Sequence, residues 1–389
     1  MKQILRIPRH LNAPQELILV RLLVTLGAAS VVATSSLYLR SLGLSDAVIG
    51  LSTAIVMFVN LVFALLLPKL LRRFDLVKLL IFSTAGLSLT LLLFGSVQLA
   101  LVALGFYILG RLLLSLFASA YSILFHDDAA GPKDFKKNQA LSGSMTNFAW
   151  MSMPFFATLV IGQYSFATLY VLGAGIAFCA TILLLITNIP EKKKRQRPPV
   201  SIFTNIRTYF SQKRLRDVYI ISTGVDMWWV FIFVFVTLFM KDAGFSTTQV
   251  GLYLTLGQLP LFLFEFKTNK LVERYNYRSP VINSYSFMAL AMLLTGLVGI
   301  NLFTLGVLTF SSLFIVFLEP AREMYLYEKM KPSDEERMQP VYATAELVGS
   351  ILIRFIIGLL LVWANQTAAF IVMATIFAAI AWHNRTLEE

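Results

Sequence analysis

The sequence predicts an all-α membrane protein with twelve transmembrane helices in two six-helix pseudo-symmetric halves. Three observations predict this fold: the composition, a series of long apolar runs, and the placement of the basic residues. Of 389 residues, 57% are hydrophobic and only 14% are charged, with a mean hydropathy of +0.74. A soluble globular domain has about a quarter of its residues charged. The composition therefore excludes an ordinary soluble enzyme.

Twelve apolar runs are long enough to cross a bilayer. A helix rises about 1.5 Å per residue and the hydrocarbon core is about 30 Å thick, so a spanning helix needs roughly 20 mainly apolar residues. The first run is too long for a signal-peptide core and no A-x-A-like site follows it, so we expect a first span and not a cleaved leader. In chain order, the predicted spans are 17–38, 48–67, 79–97, 101–124, 140–161, 166–188, 218–240, 248–267, 280–300, 302–325, 340–362 and 366–383.

Basic residues collect in alternate connections and predict the topology. The basic connections contain Lys2, Arg6, Arg9, Lys69, Arg72, Arg73, Lys78, Lys133, Lys136, Lys137, Lys192, Lys193, Lys194, Arg195, Arg197, Lys267, Lys270, Arg274 and Arg278. The opposite side has little beyond Arg40 and Lys241. By the positive-inside rule, both termini and the long central connection are cytoplasmic, in a multi-pass protein of the cell membrane. The net charge of +12 thus indicates orientation and contact with anionic headgroups of the lipid bilayer, and nucleic acid is not an expected partner.

An internal repeat divides the chain. A shift of 201 residues aligns 43–51 with 244–252, with identity at two Gly, one Ser and one Leu, and aligns 68–74 with 269–275 without a gap. The alternative is chance similarity between apolar helices, but these matches lie in polar loops, which favours a true repeat. We therefore predict two parallel six-helix halves, residues 1–190 and 218–389, joined by a cytoplasmic linker over 191–217.

The linker combines a basic stretch with an amphipathic one. Residues 191–199 are rich in Lys and Arg, and apolar side chains then recur at helical spacing from Ile202 to Phe210 beside Arg207. Such a helix is expected to lie along the cytoplasmic interface with its basic residues towards the headgroups. It would serve as a structural tether between the halves or as a lipid sensor.

Two loop motifs resemble one known family. The pattern G-(L/F)-S-x-x-x-(I/V)-G-L precedes the second span of each half, and the turn Pro68–Phe74 resembles a G-x-L-x-D-R-x-G-R-R loop. Together with twelve spans in two parallel halves, these motifs resemble the major facilitator superfamily over essentially the whole chain. The resemblance implies a secondary transporter that moves a small-molecule substrate by alternating access, and a cytoplasmic loop that latches the inward face. The gating-loop candidates are Arg72, Arg73, Asp75, Glu273 and Arg274.

The motifs also depart from the family pattern. In the first loop copy, Pro68, Arg72 and Asp75 replace the first glycine, the acid and the second glycine, whereas Glu273 keeps the acid in the second copy. The first half therefore lacks the acid on which the family's latch depends. Arg111 matches the arginine of the family's R-x-x-x-G pattern, with serine in place of the glycine. The antiporter Gly-Pro motif appears only as Met153–Pro154, which weakens an inference of export.

Ionisable groups within the spans are the candidates for the functional site. Placing each one in the membrane costs roughly 2.5 to 3.5 kcal/mol, so such a residue is a functional-site hypothesis by default. Counting along the helices puts Asp226, Glu319 and Glu346 within roughly 10 Å of the midplane on the cytoplasmic side, where one cavity would join them. The substrate and proton-coupling candidates are Arg111, Asp226, Glu319, Arg322, Glu346 and Arg354, with Trp228 and Trp229 beside Asp226.

Proton coupling is the leading hypothesis for these charges. Glu319 and Arg322 lie on one helix face at i, i+3, so an acid has an arginine competitor within reach. Our hypothesis is that Glu319 or Asp226 carries the coupling proton and that Arg322 or Arg354 is the exchanging partner. The alternative is a permanent ion pair that only holds helices together. For Arg111, contact with substrate or an anion competes with a packing role.

Aromatic residues follow Asp226. Trp228 and Trp229 would form an aromatic wall beside a carboxylate, suited to a lipophilic or cationic substrate. Phe231, Phe233 and Phe235 recur every two residues and point around the helix. That spacing favours lipid contact or helix packing over a single binding face.

The function predicted is therefore secondary active transport of a small solute, coupled to protons, by a monomer without enzymatic activity. One alternative is a polytopic membrane enzyme resembling prenyltransferases, suggested by His126-Asp127-Asp128, although the paired D-D-x-x-D motifs of such enzymes are missing. A second alternative is a transport-incompetent sensor on the same scaffold. The single cysteine, Cys179, supplies neither a disulfide nor a thiolate cluster, and no metal or cofactor is expected.

Overall fold

A computed structural model describes residues 13–127, 132–187, 189, 202–272, 278–330 and 335–386, which form helices and short connections without a β-strand. Six helices come from the first half. They are α1 (Ala13–Ser41), α2 (Asp46–Arg73), α3 (Leu76–Ser96), α4 (Ala100–Asp127), α5 (Pro132–Gln163) and α6 (Phe166–Ile186).

The remaining helices begin after the basic part of the linker. They are α7 (Ile202–Ser211), α8 (Lys213–Val230), α9 (Thr237–Asp242), α10 (Thr247–Val272), α11 (Arg278–Val298), α12 (Leu302–Lys329), α13 (Glu335–Tyr342), α14 (Thr344–Trp363) and α15 (Gln366–His383). A π-helical turn, Phe231–Val236, joins α8 to α9. These three elements form one continuous helix from Lys213 to Asp242.

The predicted membrane fold is confirmed. Among the described residues, 11 helices are long and apolar enough to cross a membrane. The one predicted span that is not among these 11 is 248–267, the eighth in chain order; it corresponds to α10, whose apolar run is interrupted by Gln249, Gln258 and Pro260. The predicted span 340–362 contains a break at Ala343, which separates the end of α13 from α14.

The helices pack into two compact units. One contains Met1–Tyr38 and Val62–Gln196, with α3 against both α4 and α6; the other contains Leu39–Leu61 and Arg197–Glu389, with α8 against α14 and α11 against α15. The end of α1 and the first half of α2 therefore pack with the helices of the second half. The division of the sequence at residues 190 and 217 stays a prediction, since the basic linker lies outside the described residues.

The internal repeat has a structural counterpart in two loops. Gly43 (φ +90°) and Gly244 (φ +85°), which the shift of 201 residues superposes, both adopt the left-handed conformation that glycine tolerates without steric cost. Gly43 N donates to the carbonyl of Arg40 at 2.9 Å, and Gly244 N donates to that of Lys241 at 3.1 Å. The same backbone cap therefore ends α1 and α9.

Equivalent helix pairs in the two units also pack alike. A Cβ on Gly95 of α3 would lie 2.6 Å from Tyr170 Cβ of α6, and a Cβ on Gly296 of α11 would lie 2.9 Å from Phe370 Cβ of α15. Gly95 and Gly296 are again 201 residues apart. Small residues let membrane helices approach closely. The same glycine-based contact therefore joins α3 to α6 in one unit and α11 to α15 in the other.

The predicted amphipathic helix corresponds to α7. Its Tyr209 is fully buried and packs against Tyr219 of α8, with ring centroids 6.0 Å apart, while Phe210 and Arg207 are exposed. Burial raises the pKa of the Tyr209 phenol. The helix is thus anchored on α8 through one face, and contact of its other face with headgroups stays a prediction.

Candidate functional site

Arg322 of α12 binds two carboxylates at once. Its Nη2 lies 2.6 Å from Glu319 Oε2, one turn earlier on the same helix, and its Nη1 lies 3.5 Å from Asp226 Oδ2 of α8. The i, i+3 spacing predicted from the sequence places Glu319 beside Arg322. The packing of α12 against α8 adds Asp226. We call these three residues the acid–arginine cluster.

The cluster is largely but not fully buried. The side chains of Asp226, Arg322 and Glu319 are 11%, 17% and 23% exposed. Arg322 Nε is buried without a hydrogen-bond partner among the described residues. Two ionised acids against one guanidinium leave a surplus negative charge, which is costly in a nonpolar setting and is relieved by a proton or a cation.

Trp228 and Trp229 have different surroundings. Trp229 Nε1 donates to Glu319 Oε1 at 3.3 Å, so its indole is part of the wall of the cluster. Trp228 is 1% exposed and packs against Phe377 of α15, with ring centroids 6.0 Å apart. Of the two predicted wall residues, one contacts a carboxylate and the other belongs to the helix core.

The alternating phenylalanines pack against helices, which is one of the two alternatives that their spacing left open. Phe231 and Phe235 are fully buried and Phe233 is 6% exposed. The ring of Phe231 lies 5.2 Å from that of Phe370 of α15. The reason is that the π turn lies in the most completely buried of the described spans, where every face of the helix has a neighbour.

Further acids surround the cluster. Glu346 is exposed in the first turn of α14, one turn before Gly349. A Cβ on Gly349 would lie 2.6 Å from the carbonyl oxygen of Thr223 and 3.3 Å from Asp226 Cβ, so α14 and α8 approach closely at the level of Asp226. Glu323, next to Arg322 on α12, is also exposed. Both acids add negative charge near the cluster.

Arg354 contacts a residue of its own helix, Ser350. It is 6% exposed on α14 and donates Nη1 to the carbonyl of Ser350, at 3.3 Å, and to the hydroxyl of the same residue. The sequence left Arg322 and Arg354 as alternative partners of the acids. Of these two arginines, Arg322 is the one whose contacts among the described residues include Asp226 and Glu319.

Arg111 lies in the first unit, beside an apolar groove between α1, α3 and α4. Val31, Leu87 and Tyr107 line this groove with it. Its Nε is buried and has no hydrogen-bond partner among the described residues. Arg111 therefore belongs to a different unit from the acid–arginine cluster, whose members all lie in the second unit.

The sequence reasoning missed a second polar cluster, built on Arg21 of α1. Arg21 Nη1 donates to Ser142 Oγ of α5 at 3.1 Å, and its Cζ lies 5.1 Å from the ring centroid of Tyr121 of α4. The Tyr121 and Ser142 hydroxyls are 3.0 Å apart. Arg21 lies inside the predicted span 17–38, so the rule that marks charges within spans would have found it.

The gating-loop candidates are described only in the first copy. Arg72 and Arg73 end α2 and are exposed. Asp75 is the N-cap of α3, and its Oδ1 accepts from the backbone N of Lys78 at 2.9 Å. This gives Asp75 a structural role that its place in the loop motif did not indicate. Glu273 and Arg274 lie outside the described residues.

Among the described residues, no group of three or more His, Cys, Asp and Glu side chains is arranged to hold a metal ion. Cys179 is exposed on α6. The side chains of His126, Asp127 and Asp128 lie outside the described residues, so the structure does not test the Asp-rich motif.

Comparison with known proteins extends the fold assignment. A family model described as Major Facilitator Superfamily matches residues 17–240 and 218–386. A search of curated protein sequences finds no match.

Solved transporter structures share the fold over nearly the whole chain. The nucleoside transporter NupG is 14% identical, with a TM-score of 0.76 over 96% of this chain and 98% of that one. A POT family transporter in complex with 5-aminolevulinic acid is 11% identical, with a TM-score of 0.78 over 95% and 94%. The POT family transporter PepTSo is 10% identical, with a TM-score of 0.78 over 96% of both chains. The chain is a multi-pass membrane transporter and belongs to the Major Facilitator Superfamily.

Proposed function

We propose that this transporter is a secondary carrier that moves a small solute by alternating access, driven by protons. The observation that supports it is the acid–arginine cluster, in which one guanidinium is shared by two carboxylates from two helices. We further propose that the protein acts as a monomer in the cell membrane, with both termini in the cytoplasm, as the distribution of basic residues predicts.

The cluster suits proton exchange because its charge is unbalanced. With Asp226 and Glu319 both ionised, Arg322 uses separate nitrogens for each acid. Protonation of one acid removes the surplus negative charge and loosens its contact with Arg322. The longer contact, from Arg322 to Asp226, joins two helices, so its loss removes one polar contact between α8 and α12. A proton is thereby linked to a movement between helices.

The cluster also bears on the substrate. The exposed acids Glu346 and Glu323 and the Trp229 indole favour a solute with a cationic or aromatic part. A nucleoside transporter and POT family transporters, one of them solved with a peptide conjugate, are among the similar structures, so nucleosides and small peptides are the first solutes to test.

The test is uptake into proteoliposomes that contain the purified full chain. Labelled uridine, adenosine, alanylalanine and 5-aminolevulinic acid are added with and without an inside-alkaline pH gradient. We expect saturable uptake of at least one compound, accelerated by the gradient and slowed by a protonophore to the rate seen without a gradient. Asp226→Asn or Glu319→Gln is expected to abolish the acceleration while exchange of solute at equal pH continues.

A matched control is available on the same helix. Asp217 is a buried acid at the start of α8 that pairs with His383, with Nε2 and Oδ1 3.0 Å apart, away from the cluster. Asp217→Asn is expected to keep gradient-driven uptake. Retention of that uptake in the double variant of Asp226 and Glu319 would overturn the proton assignment. Binding of a compound without any flux would favour the sensor, and product formation dependent on magnesium would favour the enzyme.

A further inference from the structure

We propose that Arg21, Tyr121 and Ser142 form a binding subsite for a carboxylate group of the transported solute. This inference rests on the proposed transport function and assigns part of the substrate chemistry. The three residues come from α1, α4 and α5 of the first unit, so the subsite is built by three spans and not by one flexible loop.

Arg21 has no countercharge among the described residues. It is half-buried, eight residues into the span Pro14–Ser41, which is about 10 Å from the helix start. Among the described residues, its side-chain contacts are the Ser142 hydroxyl and the Tyr121 ring, and no carboxylate pairs with it. Glu16, the acid on α1, is buried one turn or more before Arg21. A cation held at membrane depth without an anion is costly unless a ligand supplies one.

The neighbours of Arg21 are held in place by burial and by a hydrogen bond between them. Tyr121 is 3% exposed and Ser142 is 1% exposed, and their hydroxyls are hydrogen-bonded to each other. Only one guanidinium nitrogen is used by Ser142. The guanidinium is thus oriented by two buried side chains while donors remain for a ligand, which is the arrangement that recognises a planar anion.

The internal repeat relates the Arg21 cluster to the acid–arginine cluster. The shift of 201 residues superposes Tyr121 on Arg322, so the Arg21 cluster and the acid–arginine cluster occupy equivalent places in the two halves. The acids are missing from the first copy. Thr25 and Ala118 stand where the second copy has Asp226 and Glu319. In the second half, Asp226 and Glu319 neutralise the guanidinium of Arg322. In the first half, no acid occupies the equivalent positions, so the guanidinium of Arg21 is left to bind the anionic group of a ligand.

The charge of the subsite selects a carboxylate. It offers one full positive charge and two neutral hydroxyl-bearing side chains. A monoanion matches this charge, whereas a phosphate dianion would leave a surplus negative charge at membrane depth. A carboxylate also accepts two parallel bonds from one guanidinium.

The test measures ligand-induced thermal stabilisation of the purified full chain in detergent, without any gradient. The probes are propionate, benzoate, N-acetylglycine and alanylalanine, each beside its amide. We expect at least one acid to stabilise the protein more than its amide does. Arg21→Gln is expected to raise the acid concentration at half-maximal stabilisation about tenfold or more, because a hydrogen bond to a charged group is lost. Arg21→Lys should retain part of the preference, since it keeps the charge.

Controls separate this proposal from misfolding and from the proton hypothesis. Tyr121→Phe removes one hydroxyl with little change of volume and should weaken the acid preference even if Arg21→Gln does not fold. Arg216→Gln removes one charge from an exposed position on α8 and should leave the preference unchanged. Equal stabilisation by acids and amides in the wild type, or an acid preference that survives in Arg21→Gln, would overturn the subsite. Because no gradient is used, failure of proton coupling would leave the result intact.

Discussion

Arg40, in the last turn of α1, binds Asp242, the last residue of α9. The guanidinium also donates to the carbonyl of Leu238 at 2.9 Å and lies 3.7 Å from Asp46 at the start of α2. With Asn365 and Gln366, these charged side chains line an open cavity of about 480 Å³. The topology predicted from the basic residues puts this group at the side opposite the cytoplasm, so Arg40 ties the outer ends of three spans together.

We predict that reversing either charge of the Arg40–Asp242 pair loosens the outer ends. The two side chains are one-third to two-fifths exposed. The pair therefore contributes under about 1 kcal/mol to the stability of the protein, and the fold should persist without it. In a Cys179→Ala background, the thiol introduced by Ser45→Cys should react about two to five times faster with a membrane-impermeant maleimide when Arg40→Asp or Asp242→Arg is added. The double variant should restore the slow rate.

The control for this pair is its counterpart in the repeat. Lys241, 201 residues after Arg40, donates to the carbonyl of Phe245 at 3.1 Å within its own loop. Lys241→Gln should therefore leave the labelling rate unchanged. Equal rates in the wild type and both charge reversals would show that the pair does not hold the outer ends.

A second prediction concerns Gly50 of α2 and Gly358 of α14, which are in backbone contact. A Cβ on Gly50 would lie 2.7 Å from the Cα of Gly358, and a Cβ on Gly358 would lie 2.7 Å from the N of Leu51. Alanine at either position must push the helices apart and should cost about 1–3 kcal/mol, measured as a lower Tm. Gly306→Ala on α12 is the matched control, because nothing lies within 4 Å of its Cβ position. If all three variants unfold at the same temperature, the close contact is not needed for stability.

The sequence predicts much of this fold because hydropathy and loop chemistry are local. Length and apolarity are enough to locate a span, and the glycine pattern at 43–51 and 244–252 is enough to identify the repeat, since Gly43 and Gly244 adopt the same left-handed cap. Neither signal tells which face of a helix meets its neighbours. Packing between distant spans decides where Phe231 points and which arginine, Arg322 or Arg354, meets the acids. The π turn between α8 and α9 is not indicated by the spacing of apolar residues in the sequence.

The acid–arginine cluster carries a third prediction, on stability alone. Arg322→Gln leaves Asp226 and Glu319 without their cation and should cost about 3–5 kcal/mol at neutral pH. The triple variant with Asp226→Asn and Glu319→Gln removes the unpaired charges as well and should recover most of the loss in Tm. A triple variant as unstable as the single one would mean that Arg322 stabilises the fold by packing and not through its two acids.

A fourth prediction separates two roles of Asp75. As the N-cap of α3, its carboxylate accepts the backbone N–H of Lys78, and Asp75→Ala should lower the stability of the protein by about 1 kcal/mol. Asparagine is as good an N-cap as aspartate, so Asp75→Asn should keep the Tm and, if capping is the only role, keep uptake into proteoliposomes as well. If Asp75→Asn instead keeps the Tm and loses uptake, the negative charge of Asp75 is needed for transport. The loop after α2 would then act in gating through Asp75, although Arg72 occupies the acid position of the family motif.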